Sequence, residues 1–590
     1  MPSNPVANLR ETVEREFRAR PQPQPPSDTL RECRRALFGV VGLSAVINLL
    51  YLTSSFFMLE VYDRVIPSRS VPTLLALCTI AFVLYGFQAA LDSIRSRIFV
   101  RIGKLADARL SSSAFRAGLE LTVAQRKTDP RQPLRDLDQL RQFFWSGGPV
   151  GFLDVPWIPA YLLICFAFHP LLGFAAVAGA LVLGALTLLT DRGARQASRI
   201  SNEQAALRTQ MDEAIRRNAE TVQALGMREA MTARWQAVNR DYLRASGEVS
   251  DVVGGYGAFS KVFRTALQSM ILALGAWLVI QQQATGGIMI ASSILVSRAL
   301  APVEGVIAHW KGFLAARAAW KRLATQLAER PAVPMDLPRP CRRLAVERLT
   351  LIPPGSQASN LSDISFTLEG GTALGVIGRS ASGKSSLARA LVGIWRPARG
   401  AVRLDGAALD QWDTETLGGF IGYMPQESEL FAGTISENIA RFDPEMSPTA
   451  VLAAAQAAGV HDLILRLPNG YDTQIGDRGN ALSAGQRQLV ALARALYRDP
   501  FLVVLDEPNS NLDHEGDLSL KNAIESIKER GAIAVVIAHR PAAITSCDLL
   551  LMLAGGKQHL FGKRDDVLAA ATNRAPPPPI AGDRPQRVAG

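Results

Sequence analysis

The 590-residue chain has little cysteine, and what it has is scattered. Cys33, Cys78, Cys165, Cys341 and Cys547 show no C-x-x-C spacing and no histidine partner nearby. That excludes a zinc site and a disulfide framework, and suits buried thiols in a reducing compartment. A cleavable signal peptide is missing too: the Pro-rich "PQPQPP" (21–26) precedes the first apolar run. The formal net charge is +11, yet no Lys/Arg stripe with interleaved aromatics accompanies it. The arginines flank apolar segments instead, as the positive-inside rule requires, so nucleic acid is not an expected partner.

What is present is apolar and unevenly spread. Hydrophobic residues make up 48% of the chain, and the mean hydropathy is +0.11. The long apolar stretches crowd the first 310 residues. Six are long enough to span a lipid bilayer as helices, near 36–59, 71–91, 150–168, 170–190, 262–282 and 286–308. Arg31, Arg34 and Arg35 precede the first; Arg95, Arg97, Arg101 and Lys104 follow the second. Arg192, Arg195 and Arg199 follow the fourth, and Lys311, Arg317, Lys321 and Arg322 the sixth. Both termini are therefore expected in the cytoplasm. The polar connections at about 92–149 and 191–261 then lie on that same side. Apolar residues at i, i+3, i+4 in "LRDLDQLRQFF" and "AIRRNAETVQALGMREAMTARW" predict helices there, read as levers that carry motion into the membrane. Charges within spans need a reason. Glu60, Asp63 and Arg64 are expected at the outer interface, whereas Asp154, Arg298 and Glu304 belong to a subunit seam or an aqueous cavity.

From about residue 341 the pattern changes to short β-rich runs and helices. "GRSASGKSS" (378–386) follows the apolar run "ALGVIG" and fits G-x-x-x-x-G-K-[ST] at Gly378, Gly383, Lys384 and Ser385. Small residues let successive backbone N–H groups curl round phosphate oxygens. Lys384 neutralises charge near the β- and γ-phosphates, and Ser385 reaches Mg²⁺. "FLVVLDEP" (501–508) is a buried strand ending in Asp506, placed for Mg²⁺, and Glu507, placed to polarise the attacking water. "IAHR" sets His539 behind another apolar strand, within reach of a γ-phosphate. "YMPQE" supplies Gln426, a neutral amide suited to sensing Mg²⁺ or water. "LSAGQRQLVALARAL" (482–496) puts Ser483 and Gly485 at a helix start, a second anion-binding geometry without its own phosphate loop. Two such halves are completed when two copies meet head to tail, with ATP between Lys384 of one and Ser483 of the other.

This set, in this order, resembles the nucleotide-binding domain of ATP-binding cassette (ABC) transporters. Six spans ahead of one cassette resemble an exporter half-transporter. "YDRVIPSRS", "LDVPW", "HPLLG", "ETVQALGM", "RLDGA", "GYMPQESELFAGTISENIARF", "LPNGYDTQIGDRGNALSAGQRQLVALARAL" and "DEPNSNLD" are similar to the type I secretion permease/ATPases. The resemblance covers roughly residues 35–570. It implies that Gly378, Arg379, Ser380, Ala381, Ser382, Gly383, Lys384, Ser385 and Ser386 form the phosphate loop. Gln426 would be the Q-loop glutamine, and Leu482 to Gln486 the signature, with Ser483, Gly485 and Gln486 contacting nucleotide. Ser385, Gln426 and Asp506 would hold Mg²⁺. Glu507 would be the catalytic carboxylate, His539 the switch histidine, and Asn511 to Asp513 the D-loop. Ala484 stands where the family usually has glycine. The segment where many cassettes stack adenine on a ring reads "LTLIPPGSQ", without one.

The expected fold is a multidomain membrane protein: a six-helix α-helical transmembrane domain fused to an α/β P-loop nucleotide-binding domain. Expected boundaries are a disordered Pro-rich leader (1–34), the transmembrane domain (35–325), the ATPase domain (340–570) and a disordered Pro-rich tail (571–590). About 35 residues ahead of the first span cannot hold the peptidase domain of some peptide-exporting relatives. The resemblance implies a homodimer in the bacterial inner membrane. It would export an unfolded protein with a C-terminal signal, with a periplasmic adaptor and an outer-membrane channel as partners. The rivals are an exporter of lipid or small molecules on the same fold, and a soluble cassette protein acting on nucleic acid or ribosomes. The six spans oppose the second.

Overall fold

A computed structural model describes residues 26–123, 130–328, 337–476, 479, 481–538 and 541–572. The chain divides into a helical unit and an α/β unit. Each is described by itself.

The helical unit begins with α1 (Pro26–Leu50), whose start lies inside the leader expected over 1–34. Proline suits a first helical position, where its missing N–H would have no partner. One i→i+3 bond, Leu52 N to Leu49 O at 3.1 Å, tightens the backbone before α2 (Thr53–Glu60). A π-helical turn follows at Val61–Val65. Then come α3 (Val71–Val123), α4 (Gln132–Trp145), α5 (Gly148–Asp154), α6 (Ile158–Phe168) and α7 (Pro170–Arg217). The short α8 (Ala219–Ala224) precedes α9 (Arg228–Ile280), α10 (Gly286–Ala308) and α11 (Trp310–Ala328). Among the described residues, six helical segments are long and apolar enough to cross a membrane: Ala36–Ser68, Val71–Val123, Gly148–Phe168, Pro170–Arg217, Arg228–Ile280 and Gly286–Ala308.

Helices α3 and α9 each run 53 residues without a break. At ~1.5 Å per residue that is about 80 Å, well beyond the roughly 30 Å of a hydrocarbon core. The expected polar connections are thus largely continuations of the spans. Phe82, Val83 and Leu75 on α3 stay exposed, as lipid-facing side chains do. The interior is held by α7, α9 and α10 through Leu172, Leu183, Ile271, Leu278 and Leu295.

Charges inside this unit find partners across helices. Arg95 on α3 is buried and donates to Asp154 on α5 (3.0 Å), Asp92 (2.7 Å) and Ser44 on α1 (3.2 Å). Asn48 on α1 also donates to Asp154 (2.8 Å), and the Tyr161 hydroxyl on α6 donates to Asn48. Asp154 therefore belongs to a seam within one chain. Arg298 and Glu304 separate: Glu304 accepts from Arg264 at 2.7 Å, while the Arg298 guanidinium lies 5.1 Å from the Tyr51 ring centre. Asp63 accepts from the Thr285 hydroxyl (2.5 Å) and from Gly287 N–H (2.8 Å), so it caps the start of α10.

The α/β unit carries a ten-stranded sheet in the order β5-β4-β1-β2-β10-β9-β3-β8-β7-β6. The strands are β1 (Arg343–Leu351), β2 (Leu361–Glu369), β3 (Ala373–Gly378), β4 (Arg399–Leu404), β5 (Ala407–Ala408), β6 (Ile421–Met424), β7 (Leu502–Asp506), β8 (Ile533–Ile537), β9 (Leu549–Ala554) and β10 (Lys557–Lys563). The block β9-β3-β8-β7-β6 is parallel. Parallel strands are covered on both faces, and so β7 ("LVVLD") and β8 ("IAVVI") are fully buried and apolar but for Asp506 at the end of β7. Helices α12 (Lys384–Leu391), α13 (Ala484–Leu496) and α14 (His514–Glu529) pack against the sheet. Strands β3 and β7 end on the same edge, where open α/β sheets place their ligands.

Candidate nucleotide site

The turn between β3 and α12 is shaped by residues that admit unusual backbone. Gly378 has φ +155°, and a Cβ there would lie 2.4 Å from Leu553 O. Gly383 has φ +97° and backs onto Asn360 O and Leu361. Between them Ala381 takes φ +63°. The loop closes on itself: Lys384 Nζ donates to the carbonyls of Gly378 (2.9 Å) and Arg379 (3.0 Å). Burial pulls the Lys384 ammonium below its ordinary pKa, and the nearby Glu507 and Asp506 charges oppose that shift. A phosphate could take over those hydrogen bonds and supply the missing negative charge.

Asp506 ends β7 and is 2% exposed. Burial raises its carboxyl above the usual carboxylate range; a hydrogen bond from Ser385 and the charges of Arg389 and Lys384 act in the other direction. Its Oδ1 is buried without a hydrogen-bond partner, as is Ser382 Oγ. Glu507, the next residue, adopts left-handed backbone at φ +52°. Its N–H donates to Ile537 O (2.9 Å), and its Oε2 accepts from Gln426 Nε2 (3.0 Å). Lys384, Ser385, Gln426, Asp506 and Glu507 are thus brought to one edge of the sheet.

Ser483, Gly485 and Gln486 lie at the start of α13. Ser483 is its N-cap: the hydroxyl accepts from Gln486 N–H (3.3 Å), and the Gln486 amide oxygen accepts from Ser483 N–H (2.9 Å). This capping box commits the Gln486 side chain within the chain. Ser483 and Ala484 are exposed. A Cβ on Gly485 would come within 2.9 Å of Asn511 O, so the signature and the following turn touch. No hydrogen bond or ion pair joins Ser483 to Lys384 among the described residues, consistent with two separate half-sites. His539 lies outside the described residues.

Three residues that sequence reasoning passed over sit in this edge. Asn360 Nδ2 donates to Ser386 at the end of the phosphate loop, and its Oδ1 is buried without a partner. Arg389 on α12 hydrogen-bonds Tyr423, just before Gln426, and its charge faces Asp506. Gln488 on α13 is buried and bonds to Glu507, Ser510 and Asn511. Their residue types alone gave no sign of these partners, which the fold brings in from other elements.

Residues 361–510 match the ABC transporter family, and residues 37–302 match the ABC transporter transmembrane region. The chain is 54% identical to the type I secretion system ATP-binding protein PrsD of Rhizobium meliloti (strain 1021), across 92% of this chain and 94% of that protein. It is 29% identical to the cyclolysin secretion/processing ATP-binding protein CyaB of Bordetella pertussis, across 91% of this chain and 76% of the relative. With the alpha-hemolysin translocation ATP-binding protein HlyB of Escherichia coli the identity is 26%, across 91% and 77%. Among solved structures, a bacterial Atm1-family ABC exporter with ATP bound superposes with a TM-score of 0.80 at 21% identity. It covers 91% of this chain and 96% of that one, a likeness of fold. The chain belongs to the ABC transporter family, among its type I secretion ATP-binding proteins, as a multi-pass membrane protein with one ATP-binding cassette.

Proposed function

We propose that this chain exports an unfolded polypeptide across the inner membrane, driven by ATP hydrolysis, as the ABC component of a type I secretion system. The observation that carries it is a phosphate loop beside Asp506 and Glu507 in a six-span chain 54% identical to a type I secretion ATP-binding protein. In this reading both termini are cytoplasmic, and the boundaries 1–34, 35–325, 340–570 and 571–590 divide leader, transmembrane domain, ATPase and tail.

The donor set suits Mg²⁺, a hard cation that takes oxygen ligands. Asp506 Oδ1 is buried without a partner beside the Ser385 hydroxyl, and the Gln426 amide stands close by on Glu507. Asp506, Ser385 and Gln426 would hold the ion. When bound with ATP it neutralises charge on the β- and γ-phosphates. Residues Gly378 to Ser386 wrap the phosphates, and Lys384 exchanges its two carbonyl partners for phosphate oxygens. Glu507 accepts a hydrogen bond from the attacking water and aligns it, with Gln426 fixing the carboxylate and His539 assigned to the γ-phosphate. Ser483, Gly485 and Gln486 of a second copy close each pocket, so the working unit is a homodimer. A periplasmic adaptor and an outer-membrane channel continue the path.

A folded domain does not pass between helices packed this closely, so the cargo is presented unfolded and recognised by a terminal segment. The last few tens of residues of an exported partner should bind the purified dimer and change its ATPase rate. The same partner without them should stay in the cytoplasm. Normal export of the truncated partner, with lipid alone modulating the ATPase, would instead establish the lipid-exporter reading.

A further inference from the structure

Glu507 sits in backbone that a non-glycine residue adopts only when its surroundings hold it there, φ +52°. Both of its peptide groups are pinned. The N–H is held by Ile537 O at the end of β8 (2.9 Å). The carbonyl accepts from Ser510 N–H (3.3 Å), which closes the turn 507–510, and from Gln488 Nε2 (3.2 Å), which comes from another element.

Gln488 does more than this. The same Nε2 donates to Ser510 Oγ (3.3 Å), and Oε1 accepts from Asn511 N–H (3.0 Å). One amide thus spans the catalytic carboxylate's own carbonyl, Ser510 and Asn511, the first residue of the D-loop. Gln488 is 3% exposed, and every other buried residue of α13 is apolar. Leucine would fill such a helix position with more apolar area and no hydrogen bonds to satisfy. A buried amide with both ends satisfied specifies geometry more than it adds stability.

We propose that Gln488 is a positioning residue for ATP hydrolysis. It acts through Glu507 by clamping that residue's left-handed backbone and the 507–511 turn onto the helix that carries the signature. The proposal rests on Glu507 being the carboxylate that aligns water. It does not touch the phosphate loop, so it should govern turnover and leave nucleotide affinity alone.

The test uses the full-length protein purified in detergent, with Gln488→Leu, Gln488→Glu and Glu507→Gln measured beside the wild type. Gln488→Leu should lower kcat by about tenfold or more, with KM for ATP and nucleotide binding within about twofold of wild type. Gln488→Glu has the same shape. As a buried carboxylate it still accepts from Asn511 N–H but cannot donate to Glu507. Protonated, its O–H can donate to the Glu507 carbonyl again. Its kcat relative to wild type at the same pH should therefore rise severalfold as pH falls, while the Gln488→Leu ratio stays flat. Dividing by the wild type removes the titrations common to both. Near-normal kcat in Gln488→Leu, while Glu507→Gln stops turnover, would overturn the clamp and leave the Glu507 reading standing. Parallel pH ratios for the Leu and Glu variants would overturn it too. Undiminished turnover in Glu507→Gln would remove the reading on which the clamp rests.

Discussion

Asp506 is a carboxyl group that the fold keeps from water and leaves half unpartnered. Burial raises its pKa in the folded chain above the unfolded value. The folded state therefore favours the proton. That contribution is fully present below the ordinary carboxylate pKa and is lost as pH rises through the raised folded value. Above that value, ionised Asp506 weighs against the fold until a cation or an ammonium answers it. Asp506→Asn should thus melt higher than the wild type without nucleotide at neutral pH, with the gap closing in acid. The same variant should lose the extra stabilisation that Mg²⁺ with ATP gives the wild type. Thermal melts across pH, with and without nucleotide, check both signs. Lys384, Ser385, Gln426, Asp506 and Glu507 were legible in the sequence because phosphate chemistry demands those types just behind apolar strands. Gln488 and Asn360 were not: an amide on a helix, or in the bend before a strand, reads as solvated until the fold brings in partners 19 and 26 residues away.

Among the elements, the first three spans are tied by charge as well as by packing. Arg95, Asp154, Asn48 and Ser44 are all buried, and between them they join α1, α3 and α5. Breaking a buried ion pair from one side is costly, about 3–5 kcal/mol, whereas removing both partners is often close to neutral. Asp154→Leu should destabilise the detergent-solubilised protein strongly, and adding Arg95→Met should restore part of the loss. A double-mutant cycle from denaturant or thermal melts measures the coupling; strictly additive effects would mean the pair contributes nothing as a pair. The six spans were readable from length and hydropathy, and the helical character of the loops from apolar spacing. The tightening at Leu52 and the separation of Arg298 from Glu304 were not readable. Both depend on which helix lies alongside, and hydropathy along one segment carries no such information.

For the whole molecule the proposal to test is that two copies complete each nucleotide pocket. If each ATP is clamped between copies, a dimer with Ser483→Arg on one chain and Lys384→Ala on the other keeps one intact pocket. A dimer with both changes on the same chain has each pocket damaged once. Nucleotide trapping should survive in the first kind and fail in the second; equal trapping in both would oppose shared pockets. The sheet order carries a different consequence, one of timing. Strand β3, which ends in the phosphate loop, pairs with β8 and β9, so its flanks are residues 533–537 and 549–554. At about 5–20 residues per second, a ribosome reaches them roughly 7–35 s after it has made the loop itself. All six spans have left the ribosome by then. A chain under synthesis therefore enters the bilayer before it owns a motor, and no nascent transporter can spend ATP.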